Sequence, residues 1–315
     1  MRFSLLATTS LTGASAAKGL YPGFSQIQDI FIFGDSYSKT GFDPSGTQPS
    51  SSNPLGNPSS VGRATSANGP NYVEYLTQMF NQSSVLTYNF GTGGATLNSS
   101  VVDSKFSLLD ELNDYYLPIY TRDEDAATWA NDTILFIVWV GINDINRSYL
   151  DEDPDMNPLI VDNYRRFVDT LYDTGARNFL LLNVPPLEKT PTVLQDEKTP
   201  NRATLEKAAV EDYNERLLGL VEEVEASYAD VTVFHYDTHS LFNQVIEDPA
   251  QFEWTADYKT VTESCAAYED GSAIGRTKYD ACDYAVNEYM WRDKFHVTWP
   301  IHKLLAEELA GVLSS

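Results

Sequence analysis

The chain has 315 residues, of which 42% are hydrophobic and 12% aromatic, enough apolar material for a globular protein with a packed core. Acidic residues outnumber basic ones by 45 to 21, so the formal net charge is −24. Because such a surface repels phosphate backbones and anionic lipid headgroups, we expect neither nucleic acid nor a membrane as a partner. The acidity is typical of a solubilising surface, and we expect a monomer.

The N-terminus is typical of a secretory signal peptide. Arg2 is followed by a short stretch rich in Leu and Ala, and small residues occupy positions 14–16, the order that signal peptidase substrates share. We predict a signal peptide over residues 1–17, the alternative being a frayed tail, and a single domain over residues 18–315. No other apolar run approaches the roughly 20 residues that span a bilayer. A secreted, extracellular protein is therefore expected.

Five short and nearly continuous apolar runs are typical of parallel strands that are buried on both faces. They cover residues 29–33, 85–90, 133–140, 178–184 and 231–236, and helical patterns lie between them at 72–80, 161–174 and 203–228. Alternation of strand and helix predicts an α/β fold, a three-layer α/β/α sandwich around a central, mostly parallel five-stranded sheet.

Two long segments interrupt this alternation. Residues 43–70 are rich in Ser, Pro, Gly and Asn and follow the first strand. They are predicted to form a loop above the carboxyl edge of the sheet, where open α/β folds bind ligands. Residues 248–289 form a second insertion, which contains both cysteines of the chain.

The cysteines and the glycosylation sequons fit a secreted protein. Cys265 and Cys282 are predicted to form a disulfide in an oxidising compartment, closing a loop of about 18 residues and contributing roughly 3 kcal/mol to stability. Two reduced, buried thiols are the alternative. Sequons, the acceptor sites for N-linked glycans, occur at Asn81, Asn98, Asn131 and Asn146.

Ser36 comes directly after the first predicted strand, in Gly34-Asp35-Ser36. A serine at the carboxyl end of a strand and ahead of a helix has its hydroxyl at the sheet edge and its backbone N–H at a positive helix terminus. This arrangement suits a nucleophile that generates an oxyanion, and the alternative is a serine that only caps the helix. The Gly-x-Ser-x-Gly elbow of α/β-hydrolases is absent, because Ser38 stands where its second glycine would be.

Further polar and glycine residues follow the second and third strands. The turn after the second strand contains Gly91, Gly93 and Gly94, but Thr96 replaces the last glycine of a dinucleotide-binding motif. It therefore predicts either a tight turn or a backbone N–H aimed at a reaction centre. Asn143 follows the third strand, where its amide can serve as an oxyanion donor or only as a turn residue.

Asp293 and His296 lie three residues apart near the C-terminus. Within one turn, this spacing lets the carboxylate orient Nδ1–H of the imidazole and leaves Nε2 free to take a serine proton. His302 is predicted to be structural, in the closing helix. His235 and His239 flank Asp237, where a capped loop is commoner than a metal pair, so we predict no metal and no cofactor.

Four blocks in this order resemble the motif blocks of the SGNH or GDSL hydrolase superfamily, which has a flavodoxin-like sandwich fold. The blocks are Gly34-Asp35-Ser36, residues 89–94, Gly141-x-Asn143-Asp144 and Asp293-x-x-His296. The resemblance implies that Ser36 is the nucleophile, that His296 is the general base and that Asp293 orients it. It also implies an oxyanion hole formed by the N–H groups of Ser36 and Gly94 and the side chain of Asn143.

Flanking motifs, among them Asn68-Gly69-Pro70 and Asn183-Val184-Pro185-Pro186, are similar to fungal acetylesterases of carbohydrate esterase family 16. The similarity implies a small-molecule ester substrate, an acetylated oligosaccharide derived from hemicellulose. The family usually has proline directly after the catalytic histidine, whereas this chain has Val297, so the backbone there is expected to differ. Two alternatives stay open: a GDSL lipase or phospholipase acting on longer acyl chains, and a catalytically silent carbohydrate-binding protein.

Overall fold

A five-stranded sheet is the centre of the computed structural model, which describes residues 21–58, 60–121, 131–149 and 156–315. The predicted signal peptide lies outside these residues. The strands are β1 (Asp29–Gly34), β2 (Leu86–Asn89), β3 (Ile134–Trp139), β4 (Asn178–Leu182) and β5 (Thr232–Tyr236). They pair in the order β2-β1-β3-β4-β5 and every pair is parallel, which confirms the predicted sheet.

Helices flank the sheet and bury its strands, so that all six residues of β3 are buried. α1 (Tyr72–Gln78) packs against α9 (Trp299–Leu313), and α5 (Met156–Asp173) packs against α7 (Arg202–Ser227). α4 (Ile142–Ser148) contacts α5 and α7, the short α6 (Pro191–Leu194) contacts α7, and α8 (Thr238–Glu247) contacts α9. The three-layer sandwich is therefore confirmed. None of the helices in the described part of the chain combines the length and apolarity needed to cross a bilayer.

Helix α5 begins five residues before its predicted start, and Pro158 lies in its first turn. Proline cannot donate a backbone hydrogen bond, but the first turn of a helix has no intrahelical acceptor for its N–H groups. Pro158 is therefore compatible with the helix at this position, although prolines usually mark the end of a helical pattern.

Residues 108–120, in the connection from β2 to β3, form three successive helical segments. They are α2 (Leu108–Asp110), a π-helical stretch (Glu111–Tyr116) and α3 (Leu117–Tyr120). Ser107 and Asp110 form a capping box at the start, which satisfies free N–H groups of the first turn. Tyr116 meets the ring of Phe31 edge-on at a centroid distance of 5.2 Å. This packing fixes the π-helical stretch against β1.

The long loop between β1 and α1 divides its contacts between two parts of the molecule. Its first half runs beside β2, where Thr87 N–H donates to the carbonyl of Pro54 at 2.8 Å. β2 is an edge strand, whose outward N–H groups need acceptors. The second half reaches the start of α9, where Trp299 N–H donates to Ala67 O at 2.9 Å. The prediction that residues 43–70 lie above the carboxyl edge is thus wrong for the first half.

The second insertion contains the predicted disulfide, with a Cys265–Cys282 S–S distance of 2.09 Å. Around it lies a small apolar cluster that includes Tyr268 and Val286. Asn68, in the long loop between β1 and α1, donates from Nδ2 to Tyr268 O at 3.0 Å and so links this cluster to that loop. The disulfide therefore stabilises a segment that has its own small core but no long helix or strand.

Replacing both cysteines by serine should lower the free energy of unfolding by about 3 kcal/mol, because the open chain gains conformational entropy on unfolding. Urea unfolding followed by circular dichroism measures the change. Dithiothreitol should destabilise the wild-type protein to the same level and leave the double variant unaffected. Equal stability of the oxidised wild type and the variant would contradict the assigned contribution.

Candidate active site

The predicted site residues converge at the carboxyl edge of the sheet. Ser36 follows β1 and Asn143 follows β3, and these two strands are neighbours. From β1 the chain continues to β2 on one side, whereas β3 leads to β4 on the other. A crevice forms where connections diverge in this way, and open α/β sheets bind ligands there.

Ser36 lies in a turn and not at the start of a helix. The N–H groups of Ser38 and Lys39 both donate to Asp35 O, at 3.1 and 3.0 Å, and α1 begins only at Tyr72. The predicted helix terminus behind Ser36 is therefore wrong, as is the alternative that Ser36 caps a helix. The physical reason is the long insertion between β1 and α1. Ser36 itself is 7% exposed.

Ser36, His296 and Asp293 form a continuous chain of hydrogen bonds. His296 Nε2 lies 2.8 Å from Ser36 Oγ, and His296 Nδ1 lies 2.9 Å from Asp293 Oδ2. With a proton on Nδ1, the imidazole donates to the carboxylate and accepts from the serine hydroxyl through Nε2. The structure thus brings together the three residues predicted for a catalytic triad, in the connectivity that such a triad requires.

The Asp293 carboxylate is held by more than His296. Its Oδ1 accepts the backbone N–H groups of Phe295 and His296, at 2.8 and 2.7 Å. Burial raises the pKa of Asp293, but these bonds and the His296 side chain outweigh it, and the net pKa is lowered. Asp293 therefore remains ionised near neutral pH and can stabilise a positive charge on His296.

A short hairpin holds the segment that carries the acid and the base. Arg292 N–H donates to His296 O at 2.8 Å, and Thr298 N–H donates to Met290 O at 2.8 Å. Val297, which replaces the expected proline, is fully buried. Its presence leaves His296 within hydrogen-bond distance of Ser36.

Two side chains tie this hairpin to its surroundings. Tyr37 Oη donates to Phe295 O at 2.6 Å and joins the turn of the serine to the segment of the histidine. Arg292 Nη2 donates to Glu269 O at 2.8 Å in the disulfide segment, while its Nε lies 3.9 Å from Asp293 Oδ2. The disulfide segment is therefore linked to Asp293 through Arg292.

The three predicted oxyanion donors are Ser36, Gly94 and Asn143. Gly94 has φ of +78°, a conformation that favours glycine. Among the hydrogen bonds of the described residues, none is donated by the N–H of Ser36 or of Gly94. Asn143 Nδ2 donates to Ala95 O at 2.9 Å and makes a longer contact of 3.3 Å to Asp35 Oδ2.

The loop around Gly94 is held from several directions. Arg147 Nη2 donates to Gly94 O at 3.1 Å. Asp144 Oδ1 accepts Leu97 N–H at 3.0 Å. Burial raises the pKa of Asp144 to about 7, and burial likewise raises that of Asp35 to about 7.

Glu111 is a further site residue, which sequence reasoning missed. Its carboxylate accepts the N–H of Gly34 at 3.1 Å and that of Thr92 at 3.2 Å. It belongs to the π-helical stretch, 77 residues after Gly34, and to none of the recognised motif blocks. No sequence signal distinguishes it from an exposed helical glutamate.

Of the remaining histidines, His302 lies in the closing helix as predicted, whereas the capped loop expected at His239 is a capped helix. His239 is in the first turn of α8, which Asp237 caps by accepting Ser240 N–H at 3.0 Å, and His235 is in β5. His302 is in α9, near the rings of Tyr37 and Tyr72, and burial lowers its pKa to about 3. Over the described ranges, no cluster of three or more His, Cys, Asp or Glu side chains could hold a metal ion.

The chain matches a known protein family and is similar in sequence to known esterases. The family described as GDSL-like Lipase/Acylhydrolase matches residues 30–309. An acetylesterase from Thermothelomyces thermophilus is 34% identical over 310 residues, which cover 97% of this chain and 94% of that protein. The GDSL esterase/lipase EXL2 from Arabidopsis thaliana is 24% identical over 262 residues, covering 78% of this chain and 65% of the relative.

A solved structure shares the fold. A catalytic mutant of Axe2, an acetylxylan esterase from Geobacillus stearothermophilus, has a TM-score of 0.51 at 15% sequence identity, with coverage of 91% of this chain and 94% of that chain. The family match extends over most of the sequence and the acetylesterase is similar across nearly the whole chain. The predicted superfamily is thus confirmed: the chain belongs to the GDSL-like lipase and acylhydrolase family and is a carboxylic ester hydrolase.

Proposed function

We propose that the protein is a secreted acetylesterase that removes acetyl groups from hemicellulose-derived sugars through an acyl-enzyme on Ser36. The observation that carries the proposal is the hydrogen-bonded chain from Ser36 Oγ to His296 Nε2 and from His296 Nδ1 to Asp293. A serine hydroxyl is a weak nucleophile until a base takes its proton. In this site the base is already in contact with the hydroxyl.

In the proposed mechanism, Ser36 Oγ attacks the ester carbonyl carbon while His296 Nε2 takes the hydroxyl proton. The tetrahedral intermediate then collapses, and the same proton passes from His296 to the departing sugar oxygen. Water attacks the acetyl-serine with His296 again as base, which releases acetate and restores the serine. Asp293 holds the imidazole and stabilises its positive charge in both steps.

The oxyanion is proposed to lie between the loops that follow β1, β2 and β3. The N–H groups of Ser36 and Gly94 donate to it, together with one hydrogen of Asn143 Nδ2. The bond of Asn143 to Ala95 O fixes the amide plane, whereas the 3.3 Å contact to Asp35 is long enough to be exchanged for the oxyanion. Each such donor contributes about 10² to 10³ in rate.

Two kinds of support favour an acetyl ester as the substrate and secretion of the protein. The relative from Thermothelomyces thermophilus, similar over 97% of this chain, is an acetylesterase. The Cys265–Cys282 disulfide is typical of oxidising compartments, and the N-terminal residues fit a signal peptide.

Glycans are proposed for the sequons at Asn81, Asn98, Asn131 and Asn146, of which the side chain of Asn131 lies outside the described residues.

The variant Ser36→Ala should lose at least about 10³-fold in the initial rate of p-nitrophenyl acetate hydrolysis, because no other group can form the acyl-enzyme. Ser38→Ala is the matched control. Ser38 is also buried, but its Oγ bonds Tyr72 Oη at 2.9 Å, and this variant should retain most of its activity. Equal rates for Ser36→Ala and the wild type would refute the role of Ser36.

The specificity constant kcat/KM should be higher for p-nitrophenyl acetate than for the octanoate ester. In a lipase, each added methylene that enters an apolar pocket gains about 0.8 kcal/mol, so the longer ester is favoured. An acetylesterase has no such pocket to fill. Initial rates across the series from acetate to octanoate measure the trend, with Ser36→Ala as the background. A steep rise toward octanoate would instead indicate a lipase.

A further inference from the structure

Glu111 connects the two loops that flank the proposed oxyanion site. Its Oε2 accepts Gly34 N–H at 3.1 Å, at the end of β1, and its Oε1 accepts Thr92 N–H at 3.2 Å, in the loop after β2. The side chain is 1% exposed. One buried carboxylate therefore bonds both loops simultaneously, with one oxygen for each.

The two amides that Glu111 binds lie at the same sequence distance from the two proposed backbone donors of the oxyanion hole. Gly34 lies two residues before Ser36, and Thr92 lies two residues before Gly94. Ser36 and Gly94 supply the two backbone donors of the proposed oxyanion hole. A shift of Gly34 relative to Thr92 would therefore change the separation of those donors, on which the stabilisation of an oxyanion depends.

The N–H of Gly34 lies beyond the last residue pair of β1 and β2, where the sheet no longer supplies an acceptor for it. The register between β1 and β2 ends at Ile32 and Asn89. Beyond it, Phe90 N–H donates to Ile32 O at 2.9 Å, and Thr92 N–H is shared between Gly34 O at 3.0 Å and Glu111 Oε1 at 3.2 Å. Gly34 N–H has only Glu111 as its acceptor among the described residues. A buried backbone N–H without an acceptor is costly. The Glu111 carboxylate takes the place that a longer β2 would fill.

The π-helical stretch that contains Glu111 packs against β1. Single π-turns in helices are frequent at functional sites. Tyr116, in the same stretch, packs edge-on against Phe31 and Phe33 of β1, at centroid distances of 5.2 and 5.7 Å. Glu111 is thus held against the strand whose last residue it binds.

We propose that Glu111 is a positioning residue that fixes the separation of the Ser36 and Gly94 amides and so sets the strength of the oxyanion hole. The inference rests on the proposed acyl-enzyme mechanism. Glu111 itself touches neither the substrate nor the reacting atoms. Its contribution should therefore appear in transition-state binding and not in the binding of the ester ground state.

The test is the variant Glu111→Gln, whose amide nitrogen donates and so cannot accept from one of the two loop amides. We expect kcat for p-nitrophenyl acetate to fall about 10²-fold with KM nearly unchanged, as for a displaced catalytic donor. 1,1,1-Trifluoroacetone, which forms a tetrahedral adduct with a reactive serine, should lose inhibitory potency by a similar factor. Glu111→Asp keeps a carboxyl group that can accept from both amides but is shorter, and should recover part of the activity.

Glu74→Gln is the matched control. Glu74 is 3% exposed and accepts the N–H groups of Gly62 and Asn71, at 2.9 and 3.2 Å, but it bonds neither oxyanion loop. Both Gln variants should unfold at a lower urea concentration than the wild type, because each leaves a buried amide without its acceptor. Only Glu111→Gln should lose kcat and inhibitor affinity.

Equal losses of kcat in the two Gln variants, or a fall in kcat without weaker trifluoroacetone inhibition, would overturn the positioning role. Failure of both Glu111 variants to fold would also overturn it, because the residue would then be a stability element. Ser36→Ala separates this failure from that of the mechanism: if Ser36→Ala is inactive while Glu111→Gln matches the control, only the role of Glu111 is rejected.

Discussion

The hydrogen bond between His296 Nε2 and Ser36 Oγ joins positions 260 residues apart in the chain. Ser36 is placed by the end of β1, whereas His296 lies in a hairpin just before α9. The contact therefore exists only when the whole sandwich has formed, since α9 must pack against α1 and the hairpin must reach the carboxyl edge. The strands described for this sheet are all parallel and its central strand is buried, so the sheet forms a fixed frame for Ser36.

Backbone amides at the carboxyl edge pose a second constraint. Where β2 ends and the chain turns away, buried N–H groups need acceptors, and donors for an oxyanion must at the same time stay unpaired. In each loop, the N–H group that donates to a protein acceptor lies two residues before the N–H group that stays unpaired. Gly34 and Thr92 donate to Glu111, while in the described structure Ser36 and Gly94 donate to no protein acceptor.

Much of this architecture follows from the sequence, because apolar strands and the residues at their ends have local signals. The order of the blocks predicts that Ser36, Asn143, Asp293 and His296 lie at one edge of the sheet. The turn after Ser36 differs from the predicted helix start, because local sequence does not show that the next helix begins only at Tyr72. Glu111 had no signal at all, since its role depends on contacts with Gly34 and Thr92 that arise only from the tertiary packing of the π-helical stretch against β1.

The most direct test of the acyl-enzyme mechanism is to identify the residue that reacts covalently with diethyl p-nitrophenyl phosphate, which traps activated serines in esterases. Peptide mass spectrometry after complete inactivation locates the adduct. We predict one diethylphosphoryl group per chain, on Ser36, and a reaction that is greatly slowed when His296 is replaced by alanine. An adduct on another residue, or inactivation without modification of Ser36, would contradict the mechanism.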